Sequence, residues 1–298
     1  MNDTGKRIKI LLHGESYHAR VFAEQLNNFC NEEIDAEFHE TLTDKISYEG
    51  FDVFHLISSP LPVLKKLAKY KKPLIYHWIG TDVYRFSNDF YFKKITKKRL
   101  IKSLGSINLV VNEALQNELK QLGVLTKVLP LVNLNPVKDI PPLPGKFSIL
   151  SYIPYKRWDF YNGELVMELA GEFPEVDFYI LASGKIASKP ENVFTYNFVD
   201  DVNRFYSKVN ALLRITAHDG LSKMVLEALS FGRHVLWSEP FPNSFLVKNF
   251  EDCRRVINIL KENRTVNEKG KAFVESNFNP SRICNDYLSI CKNIVMEK

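Results

Sequence analysis

The sequence lacks both the long apolar run of a membrane-spanning helix and the cysteine pairs of a disulfide-rich or zinc-binding chain. None of its 298 residues lies in an apolar stretch that approaches the ~20 residues needed to cross a bilayer. The four cysteines (Cys30, Cys253, Cys284, Cys291) show no C-x-x-C spacing, so we expect reduced thiols. The first residues, MNDTGKRIKILLHG, hold too short an apolar core for a signal peptide. The sequence therefore predicts a cytoplasmic protein.

Two cofactor signals are also missing. The first predicted strand, Arg7–Leu12, is followed by the single glycine Gly14, where a dinucleotide-binding protein would carry G-x-G-x-x-G. A dinucleotide-dependent reductase is therefore unsupported, although one glycine at this place still lets the backbone approach a phosphate. No paired-aspartate metal motif occurs, which agrees with metal-free chemistry. We expect neither a cofactor nor a metal.

The composition is that of a globular chain with two domains. Hydrophobic residues make up 45% and charged residues 25% of a sequence that is too long for one ordinary core. Strands and helices alternate, which predicts an α/β fold with parallel sheets. The segment Asn135–Lys146 carries four prolines and one glycine and is predicted to be the linker. We expect domains at 1–140 and 147–279, followed by a last helix at 280–298.

One basic segment stands out against a net charge of only +5. Residues 90–104 hold six cationic side chains and no acid; they are Lys93, Lys94, Lys97, Lys98, Arg99 and Lys102. Apolar residues interleave with them, which is typical of an amphipathic helix on an anionic membrane. The same pattern also fits a polyanion or nucleic-acid contact, or a solvated helix face.

The most informative stretch is Leu212–Ser238, which reads as strand, turn, helix, turn, strand. Such a unit is a parallel crossover. Gly220, Leu221 and Ser222 are expected to carry the first free N–H groups of the helix, a ready site for a phosphate or diphosphate.

Two acids bracket that helix start. Asp219 precedes it and Glu227 lies eight residues further on, roughly 12 Å away along a helix axis. This separation suits a nucleotide-sugar, with Asp219 at the sugar hydroxyls and Glu227 at the ribose diol. The alternatives are a turn with an N-cap at Asp219 and a solvated ion pair between Glu227 and Lys223.

The chain resembles the retaining GT-B glycosyltransferases of family GT4. The resemblance rests on Asp219-Gly220, Leu226-Glu227-Ala228, Gly232 and Val235, and on the string VVNEALQNELKQLGV at 110–124. It implies two Rossmann-like domains that face each other across a donor cleft. It also implies metal-independent transfer of a sugar, with retention, from a nucleotide-diphosphate sugar to a glycan or lipid-linked acceptor. Departures are Asp219 in place of the usual glutamate and Arg233-His234 in place of x-Pro.

The resemblance assigns roles in both domains. His77, at the end of a buried strand, would contact the donor sugar, although a histidine at such a place is by default a structural residue. The backbone at Gly14 would cover the diphosphate. In the second domain Tyr196 and Phe198 would pack on the base, although aromatic core residues look the same in sequence.

The diphosphate would also need cations. Lys156 is the predicted ligand, and the alternative is a solvated loop lysine. The family's arginine falls on Ser151 in this chain, so one cationic ligand is either missing or replaced by Arg157. Arg214 is a third cation candidate, because a buried arginine needs an acidic or phosphate partner. With Lys223, these residues would balance the charge on the leaving diphosphate.

The resemblance further favours a membrane contact for the basic segment, on the inner face of the membrane, and no nucleic-acid partner. A second hypothesis is a non-catalytic GT-B accessory or binding protein. The aspartate in place of glutamate and the missing arginine motivate it, and it predicts no turnover.

Overall fold

The computed structural model describes residues 6–87, 107–132, 134 and 137–296. The chain divides into two compact units, one formed by residues 1–133 with 278–298 and the other by residues 134–277. Each unit contains one six-stranded sheet whose strand pairs are all parallel in the described residues. The predicted α/β class, with a parallel sheet in each half, is confirmed.

The sheet of the first unit has the strand order β2-β1-β3-β4-β5-β6. Its strands are β1 (Ile8–Gly14), β2 (Ile34–Phe38), β3 (Val53–Ile57), β4 (Leu74–Trp78), β5 (Ile107–Val110) and β6 (Lys127–Val128). Every residue of β3 and β4 is buried, as expected for strands covered on both faces. The described helices of this unit are Ser16–Phe29, Leu61–Ala68, Thr81–Ser87, Glu113–Gln121 and Pro280–Met296.

The last helix of the chain is part of this first unit. It packs on the helix Ser16–Phe29, where the rings of Tyr287 and Phe22 meet edge to face with centroids 5.1 Å apart. An ion pair between Lys292 and Glu33 lies at the rim of the same contact. The apolar face of the helix is thereby covered by residues more than 250 positions earlier in the chain.

The sheet of the second unit has the order β12-β11-β10-β7-β8-β9. Its strands are β7 (Ser148–Tyr152), β8 (Asp177–Leu181), β9 (Val193–Thr195), β10 (Ala211–Arg214), β11 (His234–Trp237) and β12 (Phe245–Leu246). The described helices are Gly163–Glu172, Asn203–Tyr206, Lys223–Ser230, Phe250–Glu262 and Glu268–Asn277. Aliphatic and aromatic side chains of the strands and of the flanking helices form one core on this sheet.

The proline-rich segment, predicted to be a linker, is fastened to the second unit over its described residues 137–146. Arg233 is fully buried, and its guanidinium donates to the carbonyls of Tyr206 at 2.6 Å and Pro141 at 2.9 Å. Burial lowers the pKa of Arg233. Arg264 donates to the carbonyls of Pro144 and Gly145 at 2.6 and 2.8 Å. The division between the units accordingly falls before this segment, between residues 133 and 134.

Candidate functional site

The predicted ligands of the second domain gather where β7, β10 and β11 end. Because these strands are parallel and adjacent, their carboxyl ends lie at one edge of the sheet. Open α/β sheets bind their ligands at this edge. The loops that follow the strands carry Lys156 after β7, Asp219 after β10 and Ser238 after β11.

Asp219 is bound to Arg214 across the turn that follows β10. Arg214 Nε donates to Asp219 Oδ2 at 2.5 Å, and Trp237 Nε1 donates to the same oxygen at 3.3 Å. The second oxygen, Oδ1, accepts from the backbone N–H of Gly220 at 3.0 Å. The side chains of Arg214 and Asp219 are only 12% and 14% exposed. The acid that a buried arginine requires is therefore Asp219, and both of its oxygens already have donors.

A second guanidinium lies close to this pair. Arg214 and Arg157 each place the carbon Cζ 5.4 Å from the ring centroid of Tyr161. Arg157 also lies 4.1 Å from the ring centroid of Phe160. The charge of Asp219 and a hydrogen bond with Tyr161 outweigh burial and raise the pKa of Arg214. Ser151, which stands where the resemblance places an arginine, is buried and donates to the carbonyl of Leu213.

Two neighbours hold Glu227, which lies on the helix Lys223–Ser230. Lys223 belongs to the same helix, and Tyr206 lies beside it. The hydroxyl of Tyr206 donates to Glu227 Oε2 at 3.0 Å, and Lys223 Nζ lies 3.3 Å from Oε1. The ion pair proposed as an alternative is therefore present. The glutamate is nevertheless 14% exposed rather than solvated. Burial, followed by the charge of Glu227, raises the pKa of Tyr206 well above its usual value, so the phenol keeps its proton.

The helix start lies later than predicted. The helix begins at Lys223, not at Leu221, and among the described residues no side chain caps it at Ser222. The N–H of Gly220, predicted to contact a diphosphate, donates to Asp219 instead. Leu221 is half-buried and Ser222 is buried in the connecting turn. The first turn of the helix thus begins with residues 223–225.

Lys156 lies in a 3₁₀ turn, Tyr155–Arg157, that follows β7. Its side chain is exposed, in agreement with either a ligand or a solvated loop lysine. The loops that follow β7, β8 and β9 line an open cavity of about 370 Å³ at the same edge of the sheet. Its lining includes Gly184, Asn197, Phe198 and Tyr155, and the two aromatic residues are 76% and 72% exposed. Tyr196, by contrast, packs edge to face on Phe205 with centroids 4.9 Å apart.

His77, in the first unit, is buried in the core. It is 0% exposed, and its Nε2 donates to the carbonyl of Leu129 at 2.9 Å. Nδ1 must then accept, and it lies 3.2 Å from Nε2 of His55. The His55 ring is stacked between His77 and Tyr287. Burial lowers the pKa of His77 to about 3. This geometry favours the structural role over a contact with a donor sugar.

Gly14 ends β1 in a conformation that only glycine adopts easily, with φ of +138°. A Cβ atom here would lie 1.8 Å from the carbonyl oxygen of Ile57, so the chain itself requires the glycine. The following helix is capped by the carboxylate of Glu15, which accepts from the N–H of His18 at 3.0 Å. An acid therefore already occupies the helix start at which the resemblance implies a diphosphate.

The remaining predictions concern membranes and metals. The basic segment 90–104, with its six cationic residues, lies outside the described residues. None of the helices described between residues 6 and 296 is long and apolar enough to cross a bilayer. Within the same residues, no three His, Cys, Asp or Glu side chains group as metal ligands would.

Sequence reasoning missed four residues of the second unit that shape the site. Tyr161 and Trp237 flank Arg214, Tyr206 holds Glu227, and Tyr155 lines the cavity. Aromatic residues in a 298-residue α/β chain are usually core, and the sequence carries no signal that separates these four from the others. Their roles depend on which strands are neighbours.

Comparison with solved structures identifies the fold. The chain is similar to sucrose-phosphate synthase from Thermosynechococcus elongatus, with a TM-score of 0.75, 13% identity, and 98% of this chain and 100% of that chain aligned. A glycosyltransferase from Rickettsia africae ESF-5 gives a TM-score of 0.69 at 13% identity, with 98% of this chain and 100% of that chain aligned. S. aureus TarM gives a TM-score of 0.61 at 14% identity over 80% of this chain. That structure was solved with fondaparinux, alpha-GlcNAc-glycerol and UDP.

These similarities show the fold, which is that of GT-B glycosyltransferases. The chain spans 55% of the length of TarM and the full length of the other two. No family model and no curated protein sequence matches the chain. The predicted GT-B fold class is confirmed.

Proposed function

We propose that the protein is a glycosyltransferase that takes a sugar from a nucleotide-diphosphate sugar, bound at the carboxyl edge of the sheet in residues 134–277. One observation carries the proposal. Two guanidiniums, a fixed glutamate and a cavity with exposed aromatic walls all lie along this edge. A diphosphate, a ribose diol and a base need these three kinds of group.

The base is assigned to the 370 Å³ cavity. Phe198 and Tyr155 offer ring faces for stacking, and the amide of Asn197 can both donate and accept hydrogen bonds. Glu227 accepts from the ribose hydroxyls, because a carboxylate that is fixed by Tyr206 and Lys223 has lone pairs to spare.

The diphosphate is assigned to Arg157, Arg214 and Lys156, together with the N-terminus of the helix Lys223–Ser230. Guanidiniums bind phosphate oxygens through two parallel hydrogen bonds, and a helix N-terminus adds favourable N–H groups. Fixed cations of this kind stabilise the charge that develops on a departing diphosphate. We therefore propose metal-independent transfer, and we propose retention on the strength of the resemblance.

The ligands of similar solved structures suggest the donors to test first. TarM was solved with UDP, and the pneumococcal O-GlcNAc transferase GtfA was solved with UDP and GlcNAc. The chain covers 55% and 60% of those two proteins, so their substrates enter here as hypotheses. We propose that the acceptor is a glycan or a lipid-linked molecule. We also propose that the basic segment 90–104 contacts a membrane, and cosedimentation with anionic vesicles tests this contact.

The test is a thermal-shift and calorimetric screen with UDP-, GDP-, ADP- and dTDP-sugars. A ligand that binds only the folded state raises the unfolding midpoint by mass action. We expect one base to stabilise the protein and Glu227→Gln to remove most of that shift. Glu168→Gln, at an exposed helix position of the same unit, is the matched control. If no sugar nucleotide binds, with or without magnesium, the proposed function is rejected.

A second candidate is a protein of the same fold that binds a nucleotide without transferring a sugar. The burial of His77 favours it, since the resemblance gives this residue a direct contact with the donor sugar. Incubation with a radiolabelled sugar nucleotide separates the two. Release of the sugar to water or to an acceptor supports the transferase, whereas binding without release supports the second candidate.

A further inference from the structure

We propose that Asp219 is a positioning residue that holds Arg214 against the diphosphate, and that it is not a ligand of the donor sugar. This inference rests on the proposed function. It reverses the role that the resemblance implies for the first acid of the signature.

The carboxylate of Asp219 is already bound by three donors. Oδ2 receives two donors, the Arg214 Nε and the Trp237 Nε1, and Oδ1 receives the N–H of Gly220. A sugar hydroxyl that donated to Asp219 would compete with a charge-assisted bond of 2.5 Å in a largely buried place. A guanidinium–carboxylate ion pair is stronger than a bond from a neutral hydroxyl, so the arginine keeps Oδ2. Three of the roughly four lone-pair sites of Asp219 are filled, whereas Glu227 has two contacts.

Arg214 is fixed by its neighbours. It lies at the end of β10, with Asp219 on Nε and the ring of Tyr161 5.4 Å away. Asp219 occupies Nε, so the terminal nitrogens, which also bond Tyr161, carry the remaining N–H groups of the guanidinium. Terminal N–H groups of this kind pair with phosphate oxygens. An arginine held in this way loses little side-chain entropy when an anion arrives.

The local charge also favours an anion. Arg157 approaches the same Tyr161 ring, so two guanidiniums lie near one side chain, and Arg214 is paired with the carboxylate of Asp219. The pair Arg214–Asp219 is neutral as a unit, which lets Arg214 stay in a site that is 12% exposed. Arg157 then supplies net positive charge for an anion. A diphosphate has several oxygens on each phosphate, so it can accept hydrogen bonds from the N–H groups of two neighbouring guanidiniums.

The experiment compares ligands with and without the sugar on the full chain. Calorimetry measures the binding of uridine, UDP and UDP-GlcNAc or, if the screen identifies another base, the three equivalents of that base. The variants are Asp219→Asn, Arg214→Met and the double variant. Glu168→Gln serves as the control for loss of one acid in the same unit.

A positioning role predicts that Asp219→Asn lowers the affinity for UDP and for UDP-GlcNAc by the same factor, about tenfold. The affinity for uridine should be unchanged. The double variant should bind no more weakly than Arg214→Met alone, because Asp219 then has nothing left to hold. The double variant also leaves no buried unpaired charge, so it keeps the test decisive if Asp219→Asn fails to fold.

A direct sugar contact predicts the opposite pattern. UDP binding would be unchanged in Asp219→Asn, UDP-GlcNAc binding would fall, and the losses in the double variant would add. That result overturns the inference and leaves the proposed function intact. If the wild-type chain binds none of the nucleotides, the proposed function fails and this inference fails with it.

Discussion

The hydroxyl of Tyr206 donates to Glu227 Oε2 over 3.0 Å, although the two residues are 21 positions apart and lie on different helices. The backbone carbonyl of Tyr206 in turn accepts from the buried Arg233, which also binds the carbonyl of Pro141. One continuous set of hydrogen bonds therefore links the proline-rich segment to the glutamate of the candidate site. Glu227 is fixed by tertiary contacts and not by its own helix alone.

Removing this hydroxyl should weaken ligand binding without unfolding the protein. We expect Tyr206→Phe to lower the free energy of unfolding by about 1–2 kcal/mol, because a largely buried carboxylate loses a donor. The affinity for the sugar nucleotide should fall roughly threefold to tenfold, since Glu227 is no longer held toward the ribose. Urea unfolding and calorimetry measure the two effects. Tyr70→Phe, in the first unit, is the matched control, and equal affinity in both variants would contradict the role given to Tyr206.

The cavity beside β8 and β9 should bind the base by stacking. Phe198→Ala and Tyr155→Ala should each weaken UDP by about tenfold, because base–aromatic stacking contributes ~1–3 kcal/mol. The unfolding midpoint without ligand should change little, because the two side chains are 76% and 72% exposed. Calorimetry with UDP and a thermal scan test this. Ile259→Ala removes an exposed apolar side chain on an outer helix and should leave UDP binding unchanged.

The buried histidine pair should make the first unit sensitive to acid. Burial lowers the pKa of His77 to about 3, and burial with the charge of His77 lowers the pKa of His55 well below 6.5. Both rings are therefore neutral when folded and gain a proton on unfolding below pH 6.5. The stability they contribute is complete above pH 6.5 and falls, as the pH decreases towards 3, by about 1.4 kcal/mol per unit for each histidine.

Urea unfolding between pH 7 and pH 4.5 measures that slope. His55→Phe keeps a stacked ring but removes one titrating group, so the free energy of unfolding should depend less steeply on pH. His39→Gln, which alters a half-buried histidine outside the pair, should retain the wild-type slope. An unchanged slope in His55→Phe would show that His55 binds its proton as readily in the folded protein as in the unfolded chain.

Gly14 should be essential for stability whether or not a ligand is present. Gly14→Ala forces an unfavourable φ of +138° and brings a Cβ atom against the Ile57 carbonyl. We expect a loss of at least about 3 kcal/mol in the free energy of unfolding. Gly171→Ala, where an added Cβ meets nothing within 4 Å, should instead stabilise the protein by about 0.5–1 kcal/mol. Thermal unfolding of the two variants without ligand tests the contrast.

The order of strands and helices was readable from the sequence because it depends on local patterns. The alternation of strands and helices predicted the parallel sheets. The string at 110–124 reads as a helix from Asn112 to Gly123, and the observed helix is Glu113–Gln121, which the Asn112 side chain caps. The acid–glycine turn and the glutamate eight residues later also followed from spacing along one strand–helix–strand unit. These features involve residues close in the chain, so backbone geometry alone brings them together.

The partners of the site residues were decided by tertiary structure. Asp219 was predicted to face a sugar, but β11 brings Trp237 beside it and β10 brings Arg214 within 2.5 Å. His77 was predicted to face a donor, but its ring points into a core that includes Tyr287 of the last helix. Successive side chains of a strand point to opposite faces of the sheet, and the sequence does not show which distant element covers each face. Local sequence thus determined where the candidate groups lie along the chain, and packing between distant segments determined which of them a ligand can reach.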